Sequence, residues 1–208
     1  MRIFAFTMKC KFSMNKTLII LFITTIFVGC GEKHTPKPRG FFRIGFPEKH
    51  YHSLSQDFPY TFEIPEYSKV VHDSRNPEKD AWINVVFPEN NAEVHISYYN
   101  IQKSEKPRPE ILAEFMEESF ELAYKHSIKA NAIEEQVFMN PGRNVYGTVY
   151  RIKGNAASPM QFFLTDSTEH FLRGALYIRA TPDIDSLRPV IDFLEKDVVR
   201  IIETTNWD

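Results

Sequence analysis

Cys30 is the residue whose type and surroundings point most directly to a chemical reaction. It follows an apolar run from residue 18 to residue 28, interrupted only by Thr24 and Thr25, and no acidic residue precedes Glu32. A basic start, about ten apolar residues and a small residue at the end form the layout of a secretory signal peptide. The run is too short to span a bilayer, which takes about twenty residues.

The residues Phe27-Val28-Gly29-Cys30 resemble the lipobox of bacterial lipoproteins, although Phe27 stands where leucine is usual. The resemblance implies that residues 1–29 are a signal peptide, that cleavage precedes Cys30 and that lipid is attached to its sulfur. Two or three acyl chains anchor a protein stably, whereas one chain binds a membrane only marginally. Met14 is an alternative start of the chain. The competing interpretation is an uncleaved anchor, or an ordinary signal peptide with a chance cysteine.

Other residues with chemical potential form weaker patterns. Seven histidines offer metal ligands, and His50 and His52 could share one face of a strand, but the sequence contains no H-E-x-x-H motif. Asp166, Ser167 and His170 supply the residue types of a hydrolase triad without the G-x-S-x-G turn that exposes such a serine. Asp and Ser at this place suit a turn. We therefore predict no catalytic residue, no metal and no cofactor.

The charge balance argues against two classes of partner. Loss of residues 1–29 removes four basic residues and no acid, which leaves 21 Lys and Arg against 27 Asp and Glu and changes the net charge from −2 to −6. A chain with this charge is not suited to nucleic acid or to electrostatic attachment to anionic lipid.

The rest of the chain divides into a tether and one domain. Residues 30–40 comprise the cysteine followed by GEKHTPKPRG, a polar stretch with two prolines and two glycines, which is typical of a flexible tether. Residues 41–208 then form a single domain. A chain of this size can bury roughly 70% of its unfolded surface.

The hydrophobic patterns predict an α+β fold with a mainly antiparallel sheet of about seven strands and two long helices. The helices are expected at 109–128 and 185–204, the second with a buried stripe that includes Leu194. The residues expected near one apolar face of the first helix are Ile111, Phe115, Met116, Phe120 and Ala123. The order of elements resembles PsbP/Mog1-like domains. The strands are expected at 60–64, 81–87, 92–101, 132–139, 145–153, 160–164 and 170–178.

Two segments are candidate contacts for a partner protein. One is an arm rich in aromatic residues, which are enriched where interfaces gain most energy, and the other is a turn of small residues that lets another backbone approach. The alternative is that the rings cover the core and the turn has no further role. The candidate residues are Phe41, Phe42, Phe46 and Tyr51 in the arm and Ala156, Ala157 and Ser158 in the turn.

Three stretches resemble a known family. They are PKPRGFFRIGFPEKHY, PYTFEIP and the long block from VYGTVYRIKGNAAS through QFFLTDSTEHFLRGALY to TTNW. They are similar to gliding motility lipoprotein GldD. The resemblance implies a component needed for gliding motility and associated with type IX protein secretion. It implies no catalytic residue, and only Cys30 carries over as a functional residue.

These observations lead to one favoured function and two alternatives. We expect a non-enzymatic scaffold or assembly factor whose partners are the membrane, through the lipid anchor, and other envelope proteins of motility and secretion. Lipoproteins that gliding bacteria export to the cell surface tend to carry a run of acids after the cysteine. Here a single acid, Glu32, follows the cysteine closely, which favours the periplasmic face of the outer membrane. The 14% aromatic content leaves a periplasmic small-ligand or substrate-binding lipoprotein as the first alternative. An unrecognised hydrolase is the second.

Overall fold

An antiparallel sheet organises the part of the chain that the structure describes. The structure is a computed structural model, and it describes residues 45–54, 57–125, 129–180 and 184–208. The strands in chain order are β1 (Tyr51–Ser53), β2 (Tyr60–Thr61), β3 (Glu63–Pro65), β4 (Lys69–His72), β5 (Ile83–Phe87), β6 (Ala92–Asn100), β7 (Ala130–Asn140), β8 (Val145–Gly154), β9 (Met160–Thr165), β10 (His170–Ile178) and β11 (Asn206–Trp207). The helices are α1 (Arg108–Tyr124) and α2 (Ile184–Thr204).

The main sheet contains seven of the described strands in the order β4-β5-β6-β10-β9-β8-β7, and all neighbours are antiparallel. Two short pairs, β1 with β3 and β2 with β11, lie outside it. The predicted α+β class, with its antiparallel sheet and two long helices, is therefore confirmed.

Two of the tight connections between neighbouring strands use the same local device. A single 3₁₀ turn that begins with proline, Pro88–Asn90 or Pro141–Arg143, is followed by an asparagine in the left-handed region. Asn91 has φ of 48° and Asn144 has φ of 54°. Asparagine tolerates this conformation better than most residues, and proline fixes the first φ angle of the turn. The sequences PENN and PGRN thus encode the β5–β6 and β7–β8 connections.

Each face of the main sheet packs against one of the two described helices. The larger core lies under α2, where Leu194, Val198 and Ile201 are fully buried, as the apolar stripe predicted. A smaller core of aromatic and aliphatic side chains lies under α1, with Ile111 and Ala123 on the helix side. Within the described residues, neither helix is both long and apolar enough to cross a membrane.

The predicted apolar face of α1 was partly wrong. Met116 and Phe120 were assigned to it, yet they are 42% and 38% exposed, and Ser119 is buried in their place. The reason lies in the sheet below, where Arg173 of β10 points at the helix and donates to the Ser119 hydroxyl at 3.1 Å. A small polar side chain at this position gives the guanidinium both space and an acceptor.

The strand predicted at 60–64 is not part of the main sheet. Its residues are divided between β2 and β3, which join the two small pairs rather than the main sheet. The seventh strand of the main sheet is instead β4, whose sequence KVVH was not predicted as a strand. Four residues with charged or titratable groups at both ends carry too little alternation to be recognised, because strand prediction depends on a repeated period of two.

We predict that the α2 stripe is a large contributor to stability. Leu194 is fully buried and Lys196, two residues later, is exposed. Leu194→Ala should lower the free energy of unfolding by about 2–5 kcal/mol, because it removes buried methyl groups and leaves a cavity. Lys196→Ala should change it by less than about 0.5 kcal/mol. Thermal or urea unfolding of the two variants measures the difference, and equal midpoints would contradict the assigned face.

Candidate functional site

A buried carboxylate attaches the first described segment of the chain to α2. Asp197 is fully buried, and its two oxygens accept three hydrogen bonds. Oδ1 accepts from the Lys49 ammonium at 2.6 Å and from the Tyr51 hydroxyl at 2.8 Å. Oδ2 accepts from the Tyr67 hydroxyl at 2.6 Å. A charge removed from water requires such partners, so this cluster determines where the arm lies.

The electrostatics of the cluster act differently on its lysine and on its two tyrosines. Burial lowers the pKa of Lys49 more than the hydrogen bond and the charge of Asp197 raise it, so this pKa lies below the ordinary lysine value. Burial, reinforced by Asp197, raises the pKa of Tyr51 and of Tyr67. Both hydroxyls therefore remain protonated at neutral pH and act as donors. Lys49 also donates to the Phe193 carbonyl oxygen at 3.0 Å.

The described part of the aromatic arm lies along α2. Phe46 stacks on Phe193 with ring centroids 4.3 Å apart, and the Lys49 ammonium lies 3.6 Å from the centroid of the same Phe193 ring. Phe46 and Tyr51 are half-buried. Phe41 and Phe42 lie outside the described residues. The role of the arm in binding a partner stays a prediction, and the Phe46 ring also packs on the larger core.

The small-residue turn lies on the other flank of α2. Ser158 is fully buried, Ala156 is half-buried and Ala157 is exposed, so Ala157 is the one of the three that another chain could contact freely. Gly154, at φ of 112°, brings the turn so close to β7 that a Cβ atom there would lie 2.7 Å from the Asn131 nitrogen. Beside the turn, a groove of about 560 Å³ is lined by charged side chains that include Arg151, Lys153, Arg188, Asp192 and Glu195.

A cleft with aromatic walls lies at the opposite end of β6 from the β5–β6 turn and beside the start of α1. Its volume is about 590 Å³, within the range of small-molecule sites. Tyr99 is at its centre, 5.3 Å from the Trp82 ring and 4.7 Å from the Phe115 ring between centroids. The Trp82 indole donates to the Tyr98 carbonyl oxygen at 2.7 Å, which fixes one wall. Charged side chains at the cleft are Glu78, Lys79, Asp80 and Lys103.

Sequence reasoning missed this cleft because its walls come from three separate elements. The aromatic residues around position 99 were assigned only to a strand, and Phe115 was assigned to the apolar face of α1. The one local signal was the adjacent pair of aromatic residues Tyr98 and Tyr99. Nothing in the spacing of these residues indicates that a loop, a strand end and a helix meet.

The candidate hydrolase residues form a turn, as their sequence predicted. The Asp166 carboxylate accepts from the backbone N–H groups of Thr168, Glu169 and His170 at 2.8–2.9 Å. Burial opposes ionisation of Asp166, but these hydrogen bonds and one from the Thr168 hydroxyl outweigh it and hold its pKa below the usual value. His170 Nδ1 lies 2.9 Å from the Tyr98 hydroxyl, and its ring stacks on Trp207.

The described histidines do not converge with other ligands. His50 and His52 are exposed, and among residues 45–54, 57–125, 129–180 and 184–208 no group of three or more His, Cys, Asp and Glu side chains is arranged to hold a metal ion. His95 lies in a network of charged side chains, on the part of the α1 face of the main sheet that the helix leaves uncovered. Its Nδ1 accepts from Arg75 at 2.9 Å, and its Nε2 lies 2.8 Å from Glu93, which also pairs with Arg179.

Comparison with known proteins gives one family match. A family model described as gliding motility lipoprotein GldD matches residues 31–207. No curated protein matches the chain. Among solved structures, the solution structure of cyanobacterial PsbP (CyanoP) from Synechocystis sp. PCC 6803 is similar with a TM-score of 0.41 and 12% sequence identity, over 82% of this chain and 98% of that chain.

We predict that Asp197 is essential for attaching the arm to α2. Asp197→Ala leaves the Lys49 ammonium and two tyrosine hydroxyls without their acceptor, so the free energy of unfolding should fall by about 3–5 kcal/mol. Asp192→Ala is the matched control, because Asp192 is an exposed aspartate on the same helix. Urea unfolding of both variants tests this. Similar losses for the two variants would show that the buried cluster contributes no special stability.

Proposed function

The chain belongs to the family of gliding motility lipoprotein GldD, and from this membership we propose that it serves gliding motility as a non-enzymatic scaffold or assembly factor. The family gives it a part in gliding motility and a place in the cell envelope. The match over residues 31–207 is the observation that carries this proposal, because it covers nearly all of the chain after Cys30. The proposed partners are other envelope proteins of the motility apparatus and of the associated type IX secretion system.

The proposal includes the manner of attachment. Residues 1–29 act as the signal peptide, Cys30 receives the lipid, and the tether that follows it connects the lipid to a domain at 41–208. Ten extended residues reach roughly 33–36 Å, which is enough to hold the domain clear of lipid head groups. The single acid close behind the cysteine, Glu32, supports the periplasmic face of the outer membrane as the location.

The scaffold function is supported by two buried carboxylates whose hydrogen bonds hold segments of the chain together. The buried Asp197 cluster and the Asp166 turn use their charges to fix chain segments to one another. The described parts of the proposed contact segments lie on either side of α2, with Phe46 and Tyr51 on one flank and the exposed Ala157 near the other. A surface that presents two contact segments suits a protein that holds partners in place.

A small-ligand function is the second candidate, and the aromatic cleft favours it. A ligand with an apolar ring could stack on Tyr99 and Trp82 while its polar groups reach Lys103 or Asp80. The cleft is open to solvent and is not lined by any group in the buried Asp197 cluster, so a variant there can separate the two functions.

We predict that Cys30→Ser abolishes lipid attachment and leaves the domain folded. The lipobox requires the cysteine sulfur, and residue 30 precedes the described part of the chain. Cells that express the variant or the parent are labelled with a radioactive fatty acid and fractionated. The variant should lose the label and leave the membrane fraction. Equal labelling of variant and parent would refute lipid attachment at Cys30.

A second prediction separates the scaffold from the ligand-binding function. Ala157→Arg should abolish gliding and secretion at unchanged abundance and unfolding midpoint, because a large charged side chain blocks the approach of a partner to the turn. Ala113→Arg, at an exposed alanine of α1, is the matched control and should glide normally.

Lys103→Glu completes this experiment by reversing a charge at the cleft. Normal gliding of Lys103→Glu with loss in Ala157→Arg supports the scaffold. The opposite pattern supports ligand binding. Normal gliding of all three variants would contradict both proposed surfaces.

A further inference from the structure

The two edges of the main sheet differ in how well they are protected from other strands. At one edge β4 has four residues and contains Lys69 and His72. At the other edge β7 has eleven residues and, among the described strands, is hydrogen-bonded on one side only, to β8. Natural proteins protect edges by keeping them short, or by placing lysine, proline or a bulge on them. Residues 130–140 contain neither proline nor lysine, and their one register shift is at the start, between Ala130 and Ala132.

The unprotected edge also exposes apolar side chains. Val137 and Met139 are each 69% exposed, more than any other large hydrophobic residue that the structure describes. They are two residues apart and so share the face of the sheet on which α1 lies. The helix covers that face only near the start of β7, where Ile133 packs on the smaller core and Glu135 accepts from the Tyr124 hydroxyl at 2.6 Å. The second half of β7 therefore leaves both its backbone edge and its apolar side chains open.

The charged residues of β7 do not oppose the addition of a strand. Glu134 forms an ion pair with Lys153 of β8, and Glu135 accepts from Tyr124. Both carboxylates thus have partners within the chain. An edge with open backbone groups, acids that already have partners and an apolar end accepts an extended segment of matching pattern.

We propose that this segment is β7 of a second copy of the chain, paired antiparallel about Val137. In this register Val137 lies opposite the Val137 of the second copy, and Glu135 lies opposite Met139. Gln136 then faces Phe138, so no acid faces an acid. Registers centred on Glu134 or Glu135 place like charges directly opposite one another, which is unfavourable.

The register also keeps the faces of the two sheets consistent. A twofold axis perpendicular to the sheet leaves every side chain on its own face, so the two main sheets become one continuous sheet. The two copies of Val137 and Met139 then form one apolar strip on the α1 side. Confinement to a membrane, which rests on the proposed lipid anchor, raises the effective concentration of the copies.

Single cysteine substitutions in the full-length chain test this pairing in intact cells. Directly opposite residues of antiparallel strands have Cα atoms about 4.5–5.5 Å apart, which suits a disulfide. Val137→Cys should therefore give a disulfide-linked dimer under mild oxidation. Met139→Cys is the matched control, with the same exposure on the same face. In the proposed register its two copies lie roughly 13–14 Å apart along the strands, too far for a disulfide.

The outcomes decide the proposal in either direction. Dimers from Val137→Cys, with Met139→Cys no higher than the parent chain, support it. A disulfide between co-expressed Glu135→Cys and Met139→Cys chains confirms the register. Equal dimer formation by Val137→Cys and Met139→Cys indicates random collision and overturns the proposal. Absence of dimers from Val137→Cys also overturns it, and slow alkylation of that cysteine in cells would then show that a different protein covers the edge. Each result is independent of whether gliding is affected, so the proposed scaffold function stands or falls separately.

Discussion

The buried carboxylate of Asp197 is the constraint on which the arrangement around α2 depends. A carboxylate without water must find donors, and here they come from Lys49, Tyr51 and Tyr67. These residues precede the main sheet in the chain, whereas Asp197 is near its end. The cluster therefore closes the chain over the larger core and holds the arm, the β1–β3 pair and α2 together. The Phe46–Phe193 stack beside it excludes water from the same contact.

The sequence predicted the elements far better than it predicted this cluster. The stripe that contains Leu194 and Val198 repeats at helical spacing, and strand β10 was predicted with its observed bounds, His170–Ile178. Asp197 lies in the same helix among Asp192, Glu195 and Lys196, so its local pattern is that of a solvated face. Its donors are 130–148 residues away in the chain. Only the tertiary structure shows which of several acids is buried, because burial of a charge depends on partners that sequence spacing does not reveal.

The two faces of the sheet have different properties that follow from how the helices cover them. Helix α2 covers a large core and carries the arm on one flank, with the small-residue turn near the other. Helix α1 covers only part of the opposite face of the sheet, because it ends at Tyr124. Over Arg173 it carries the small polar side chain of Ser119 in place of an apolar one. The network of charged side chains around His95 and the open edge at Val137 lie where α1 does not reach, and the aromatic cleft lies beside the start of that helix. Partial coverage by one helix thus produces most of the accessible features on that side, and none of them was evident from the sequence.

The arm also has a mechanical consequence. Any force that reaches the described structure from its N-terminal side is applied first to the segment that begins at Gly45, and the contacts that resist it are the Phe46–Phe193 stack and the Lys49–Asp197 ion pair. Helix α2 carries the other half of both contacts, and it is packed along the core by fully buried side chains. The load therefore passes through these contacts into α2 and from there into the body of the fold. The hydrogen bonds of the main sheet bear little of that pull until the arm has detached.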